Sequence, residues 1–426
     1  MSILLLFVVH KCHMALMKLQ KLLHLGFCIT IMDARLTAEQ KHIQQTTREF
    51  LEDNGGIELA RRKMNGDDDE DVVDEIWEGL RELDFPSVNI PQQYGGLGQG
   101  MLYLACVLEE LGRYATPCPF PETSAFGVPI LANLGTEQQK EQYFNAIAEQ
   151  GVKISFAIYD DENESVPAAI SLQPTSTENG YRLSGTKKLV PYADEVDILI
   201  VPTRTKEGSG YNGITLFLVD TENVKSTKKA SFDRTRPLYE VEFNNIKLED
   251  SHILGTKHQA GNALSDAIDR YNVGISAWLA GGAGRAVDMS VKHLNEREQY
   301  GQPIGRYQAP KHRTVEMWTD KEHMVTLAYY AAWAIENDTP EAPRAAAMAK
   351  AYTATCGPHI FQRDIWNQGG KGFTWDHDGH IYFKQSKSWQ NFLGSPDEQL
   401  DRIADIREYS NRGLPDYPDI TSEAYK

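Results

Sequence analysis

"ALSDAIDRYNVGISAWLAGGAGRAVDMSVKHLN" runs from Ala263 to Asn295, and what it forms decides the fold. No proline interrupts it, and its apolar residues recur at spacings of three and four, which predicts one long helix. Its centre, Ala280 to Gly284, reads "AGGAG", and glycine costs about 1 kcal/mol per helical position relative to alanine. Bare glycine surface lets a second helix come close, so burial in a bundle is the compensation the stretch predicts.

Further helical periodicity follows over "QAPKHRTVEMWTDKEHMVTLAYYAAWAIEN" (Gln308 to Asn337) and "APRAAAMAKAYTATCGPHIFQRDIW" (Ala342 to Trp366). Upstream the period changes. From Val152 to Leu254 short β-rich runs such as "KISFAIY", "VDILIVPTRT" and "GITLFLVD" alternate with turn clusters at Asn179-Gly180 and Gly208-Ser209-Gly210. Before them, Leu36 to Lys153 is helical again, with Thr37/Gln40 and Thr136/Gln139 spaced as capping boxes. The expected fold class is α+β: an N-terminal helical domain (33–153), a central β-barrel or sandwich domain (154–255), a C-terminal helical bundle (256–405) and a tail (406–426).

The chain has 426 residues, 41% of them hydrophobic, with a formal charge of −17. Nucleic acid is excluded as a partner, because binding it needs clustered Lys and Arg. Cysteines at 12, 28, 106, 118 and 356 form no CxxC pair, which fits a reducing, cytoplasmic setting without structural disulfides. The first 32 residues carry no acid and contain the apolar runs "ILLLFVV" and "LGFCITIM", each too short to span a bilayer. They read as a leader or as a start codon assigned too far upstream, and no membrane association is expected.

Near the C-terminus, "NQGGKGFTWDHDGHIYFKQSKSWQNFLGSP" (Asn367 to Pro396) crowds glycines, histidines and aspartates together. His377 and His380, with Asp376 and Asp378, have no distant Cys/His pair to complete a metal site. "GGKG" lets backbone approach an anion, although it follows no strand and is neither a P-loop nor a Rossmann fingerprint.

Taken in order, "NIPQQYGGLG", "LEELGRYATPCPF", "LGTEQQKEQYF", "SFAIYDD", "LSGTKKLVPYADEVD", "EREQYGQPIGRYQAPKH" and "QGGKGFTW" resemble the acyl-CoA dehydrogenase family from about Leu36 to Ala404. The resemblance implies an FAD flavoprotein with a C-terminal four-helix bundle, assembled as a homo- or hetero-oligomer. It also implies α,β-dehydrogenation of an acyl-CoA substrate, with electrons passed to an electron-transfer flavoprotein or similar acceptor. By the same resemblance Arg297, Gln299, Tyr300 and Gln308 are expected at the FAD, as is the glycine turn of Gly369, Gly370 and Gly372, shared across the dimer. An ordinary helix-end cation is the alternative for Arg297.

The departures concern the catalytic base. One family position for the glutamate is occupied here by Leu393 and the other by Tyr271, neither a base at neutral pH. Asp269 is a displaced candidate, or simply a helix-start acid that suits the macrodipole. Asp376 is a second candidate. Leu189, Val190 and Pro191 stand where members carry a Trp-Ile-Thr step beside the flavin. These departures resemble a subgroup acting on steroid side chains and other bulky acyl-CoAs, parts of which pair a catalytic chain with one lacking the glutamate. The expected function is therefore an FAD-dependent acyl-CoA dehydrogenase. The alternatives are a non-catalytic subunit of a heteromeric one, and a flavin monooxygenase on the same scaffold.

Overall fold

The computed structural model describes residues 35–66 and 71–411. The expected leader, Cys12, Cys28, most of the acidic run after Gly66 and the tail beyond 411 lie outside the described residues. The described residues from 36 form one compact unit.

The N-terminal helices are α1 (Ala38–Asp53), α2 (Ile57–Asn65), α3 (Asp71–Glu82), α4 (Met101–Arg113), α5 (Val128–Leu134) and α6 (Glu137–Gln150). Both expected capping boxes are present. The Gln40 amide donates to Thr37 Oγ1 at 3.1 Å while the Thr37 amide donates to Gln40 Oε1 at 2.9 Å, and Thr136 with Gln139 repeats the pattern. The segment "YATPCPFPETS" reads as a loop by its prolines, yet Pro121–Gly127 forms a buried π-helical turn. The side chain of Thr123 compensates: it donates to Ile154 O and accepts from Ile154 N, both at 2.9 Å.

Two four-stranded sheets follow. One has the order β1 (Ile154–Phe156), β4 (Ile198–Arg204), β5 (Ile214–Asp220), β8 (Ile253–Leu254); the other has the order β2 (Thr175–Thr177), β3 (Gly180–Pro191), β7 (Leu238–Leu248), β6 (Lys225–Lys228). Strand β1 runs parallel to β4, and the other pairs in these sheets are antiparallel. Inward residues of one sheet (Leu199, Val201, Phe217, Val219) share a core with those of the other (Leu183, Val190, Val241, Phe243). Among the described residues the sheets form no closed barrel, so the block is a sandwich.

The stretch at Ala263–Asn295 lies within one helix, α7 (Gly261–Glu296). A small hairpin of β9 (Glu298–Gln299) and β10 (Gln302–Pro303) leads to α8 (Gln308–Glu336) and α9 (Ala342–Gln368). A 3₁₀ turn (Gly369–Phe373), α10 (Gly379–Gln390) and α11 (Pro396–Asn411) complete the bundle. Gly282 of α7 faces the bundle, where a Cβ would lie 3.1 Å from Tyr382 Cδ1, while Gly281 serves an approach from outside it. A Cβ on Gly281 would lie 1.8 Å from Glu109 O, and one on Gly112 of α4 would lie 1.9 Å from Trp278 O. Reciprocal glycines thus press α7 onto the N-terminal unit. No described helix is long and apolar enough to cross a membrane.

Candidate active site

Between the sandwich and the end of the bundle opens a cleft of about 530 Å³. Its apolar walls are Tyr159, Leu189, Phe232, Leu238 and Phe392; its rim carries Glu162, Glu164, Lys387 and Glu398. Leu189 sits where β3 slips its register against β7, and it is held at φ +53°. Leu393 has the same φ. A branched side chain in this left-handed region costs about 1–2 kcal/mol, so the surroundings must hold it there. For Leu393 they do: its amide donates to Tyr159 Oη at 2.9 Å and its carbonyl accepts from Asn272 Nδ2 at 3.1 Å.

The two positions read as lacking a base are both buried. Burial pushes the Tyr271 phenol well above its usual range. Its hydroxyl donates to Glu122 Oε1 at 2.9 Å and accepts from Arg236 Nη2 at 3.0 Å. Asp269 is engaged by Arg402 through both oxygens, with Nη2 at 2.6 Å from Oδ2. Burial raises its carboxyl, against the pull of Arg402. Asp376 is exposed on the loop before α10, where its carbonyl accepts from Arg61 Nη2 at 2.6 Å. Neither aspartate lines the cleft.

The residues expected at the cofactor gather at one end of the bundle. Arg297 caps the C-terminus of α7, Gln299 and Tyr300 form the hairpin, Gln308 opens α8, and the glycine turn closes α9. Burial and then the charges of Lys371 and Arg297 lower the His293 pKa. Arg297, Gln299, Tyr300, Gln308, Gly369 and Gly370 are exposed. A Cβ on Gly369 (φ +62°) or Gly370 would meet nothing within 4 Å, so this backbone is open to a ligand, whereas Gly372 packs against Ile365 O. None of these residues lines the cleft of the same chain. His377 and His380 are engaged locally: Gly379 N donates to His377 Nδ1 at 3.1 Å, and His380 stacks on Trp375 with ring centroids 4.7 Å apart.

Sequence reasoning missed Glu122 and Arg236. They form a fully buried ion pair, with Nε 3.1 Å from Oε1, beneath the cleft wall, and the guanidinium carbon lies 4.3 Å from the centre of the Phe392 ring. Their separation of 114 residues left no local spacing to read.

Two helical units flank a β sandwich, with an apolar cleft between sandwich and bundle. The chain belongs to the acyl-CoA dehydrogenase family: residues 37–151 match the model of the acyl-CoA dehydrogenase N-terminal domain, and residues 262–406 that of the C-terminal domain. It is 27% identical over 380 residues to the short/branched chain specific acyl-CoA dehydrogenase, mitochondrial, of Bos taurus, covering 86% of this chain and 85% of that one. The butyryl-CoA dehydrogenase of Megasphaera elsdenii superposes with a TM-score of 0.82 at 22% identity, over 88% of this chain and 100% of the other. A chain from a variant of the Tcur3481-Tcur3483 steroid ACAD gives 0.77 at 25% identity, over 88% and 99%.

Proposed function

We propose that this chain works in the FAD-dependent α,β-dehydrogenation of an acyl-CoA thioester and holds the flavin in the cleft between sandwich and bundle. The carrying observation is the cleft. Apolar and aromatic walls from Tyr159, Leu189 and Phe392 suit an isoalloxazine ring, and the open glycine turn with Arg297 suits a diphosphate. These features lie apart within one chain, which supports a site made by two chains, the ring held by one and the diphosphate by the bundle end of another. Trp318, Trp366, Phe373 and Tyr300, about half to nine-tenths exposed, supply apolar surface on α8, α9, the turn after α9 and the hairpin before α8 for such an assembly. When bound, FAD supplies the acceptor for the hydride that leaves the substrate's β carbon. The chain's own residues orient the ring, exclude water and fix Leu393 against Tyr159. Buried Cys106 and Cys118, both with thiols pushed up to about 12, are unreactive and suit a reducing, cytoplasmic compartment.

A second reading has a specific observation behind it: this chain is the member of a heteromeric dehydrogenase that lacks the base. Leu393 and Tyr271 cannot take a proton, Asp269 is committed to Arg402, and Asp376 faces solvent away from the cleft. The test is the visible spectrum of the protein purified alone and together with homologous chains encoded beside it. Flavin is expected in one or both preparations, bleached by acyl-CoA without oxygen only in the mixed one; absence of flavin from both would overturn the proposal.

A further inference from the structure

The two positions where a base is expected converge on a single gap. Asn272, next to Tyr271, hydrogen-bonds Leu393 O, and the Tyr271 and Phe392 rings lie 6.4 Å apart. A base at either position acts on a carbon in that gap. In this chain the gap is filled. Arg236 enters from the segment before β7, with Nε 3.1 Å from Glu122 Oε1, Nη2 3.0 Å from Tyr271 Oη, and its guanidinium carbon 4.3 Å from the centre of the Phe392 ring. Phe156 packs edge-on against Tyr271 at 5.2 Å. Glu122, Arg236 and Tyr271 are at most 2% exposed, and the open cleft ends short of them at Tyr159 and Phe392.

The filling is also an unusual choice. Among the described residues, Glu122 Oε2 and Arg236 Nη1 have no hydrogen-bond partner although both are buried. Replacing an incompletely matched buried ion pair by apolar residues of similar volume is often neutral or stabilising, so stability alone does not account for a charged pair here.

We propose that Glu122, Arg236 and Tyr271 form a built-in wedge that occupies the space an acyl group's α carbon would need, so that this chain holds a flavin but rejects the acyl part of an acyl-CoA. The inference rests on the reading of the cleft given above. In a mixed assembly, the acyl group is then received at the site of the other chain.

The test compares two probes by calorimetry on the full-length protein: coenzyme A, and its non-reactive thioether S-octyl coenzyme A. For the wild-type chain the octyl tail is expected to change affinity by less than threefold. The double variant Glu122→Ala/Arg236→Ala, which removes both charges and leaves neither unpaired, is expected to bind the thioether at least tenfold more tightly than coenzyme A. A wild-type chain that already prefers the thioether tenfold overturns the wedge, as does a folded double variant that gains nothing. If circular dichroism shows the double variant unfolded, Tyr271→Ala, which keeps the ion pair, takes its place with the same two outcomes. Absence of flavin would overturn the cleft reading and with it the flavin-holding half of this proposal, whereas the rejection of the acyl part is read from the heat of binding, which needs no flavin.

Discussion

Asp269 and Arg402 hold α7 and α11 together through a carboxylate that is 8% exposed and a guanidinium that is 30% exposed. The two halves are therefore unequal. Arg402→Ala strands the deeper charge and should cost about 2–3 kcal/mol in urea unfolding, below the usual range for a fully buried pair. Asp269→Asn leaves an arginine that can turn to water and should cost less. Lys350 of α9 makes a sharper case, because it is fully buried and, among the described residues, has only Trp389 O, at 2.5 Å, as acceptor. Burial, and then the charge of Arg236, lowers its pKa to about 7. Between that value and the unfolded value near 10.4 the unfolded chain holds the extra proton, so stability rises as pH climbs from about 7 to about 10 and the penalty is full below 7. Lys350→Met should remove most of that slope and stabilise the protein at pH 6, by on the order of 3 kcal/mol. Lys187, lowered to about 8 by burial, leaves a smaller slope of the same sign. At this scale the resemblance marks Tyr271 and Leu393 as positions without a carboxylate, because a single position announces what it does not carry. The sequence did not show Arg402 on Asp269 or Arg236 on Glu122, since those contacts exist only after distant segments have met.

The elements were more legible. Capping boxes, periodicity and the break at Val152 placed the helices and the sandwich, because each signal lies within a few residues of its effect. What the local pattern could not assign was the neighbour of each element. The "AGGAG" run predicted a close approach but not that α4, from the other helical unit, would make it. The parallel pairing of β1 with β4 likewise depends on chain that comes later. The α4–α7 contact is testable. Gly281→Ala drives a methyl into Glu109 O and should destabilise by about 2–3 kcal/mol or more, despite alanine's better helix propensity. Gly284→Ala on the same helix, where a Cβ would lie 3.5 Å from Arg113 Nη1, should be near neutral or slightly stabilising. Paired thermal melts of the two variants would separate contact from propensity.

For the whole molecule, the sequence carried the layout and the family, and the resemblance already implied a cofactor site shared between two chains; the coordinates add which surfaces of one chain are open. The cleft and the open glycine turn stand apart in one chain, so flavin retention should follow assembly. Arg297→Ala should weaken FAD retention in the assembled protein at least tenfold by equilibrium dialysis while leaving the unfolding midpoint of the chain unchanged. The same dependence on distant contacts governs the border between the first helical unit and the sandwich. Gln139 closes the cap of α6 with its backbone and carbonyl oxygen, while its Nε2 donates to Ser251 O at 2.9 Å and Ile253 O at 3.0 Å. A protease that nicks the chain between residues 150 and 154 would therefore release no fragment under native conditions: the two pieces should co-elute, and their amide protons should exchange with deuterium in a single shared opening.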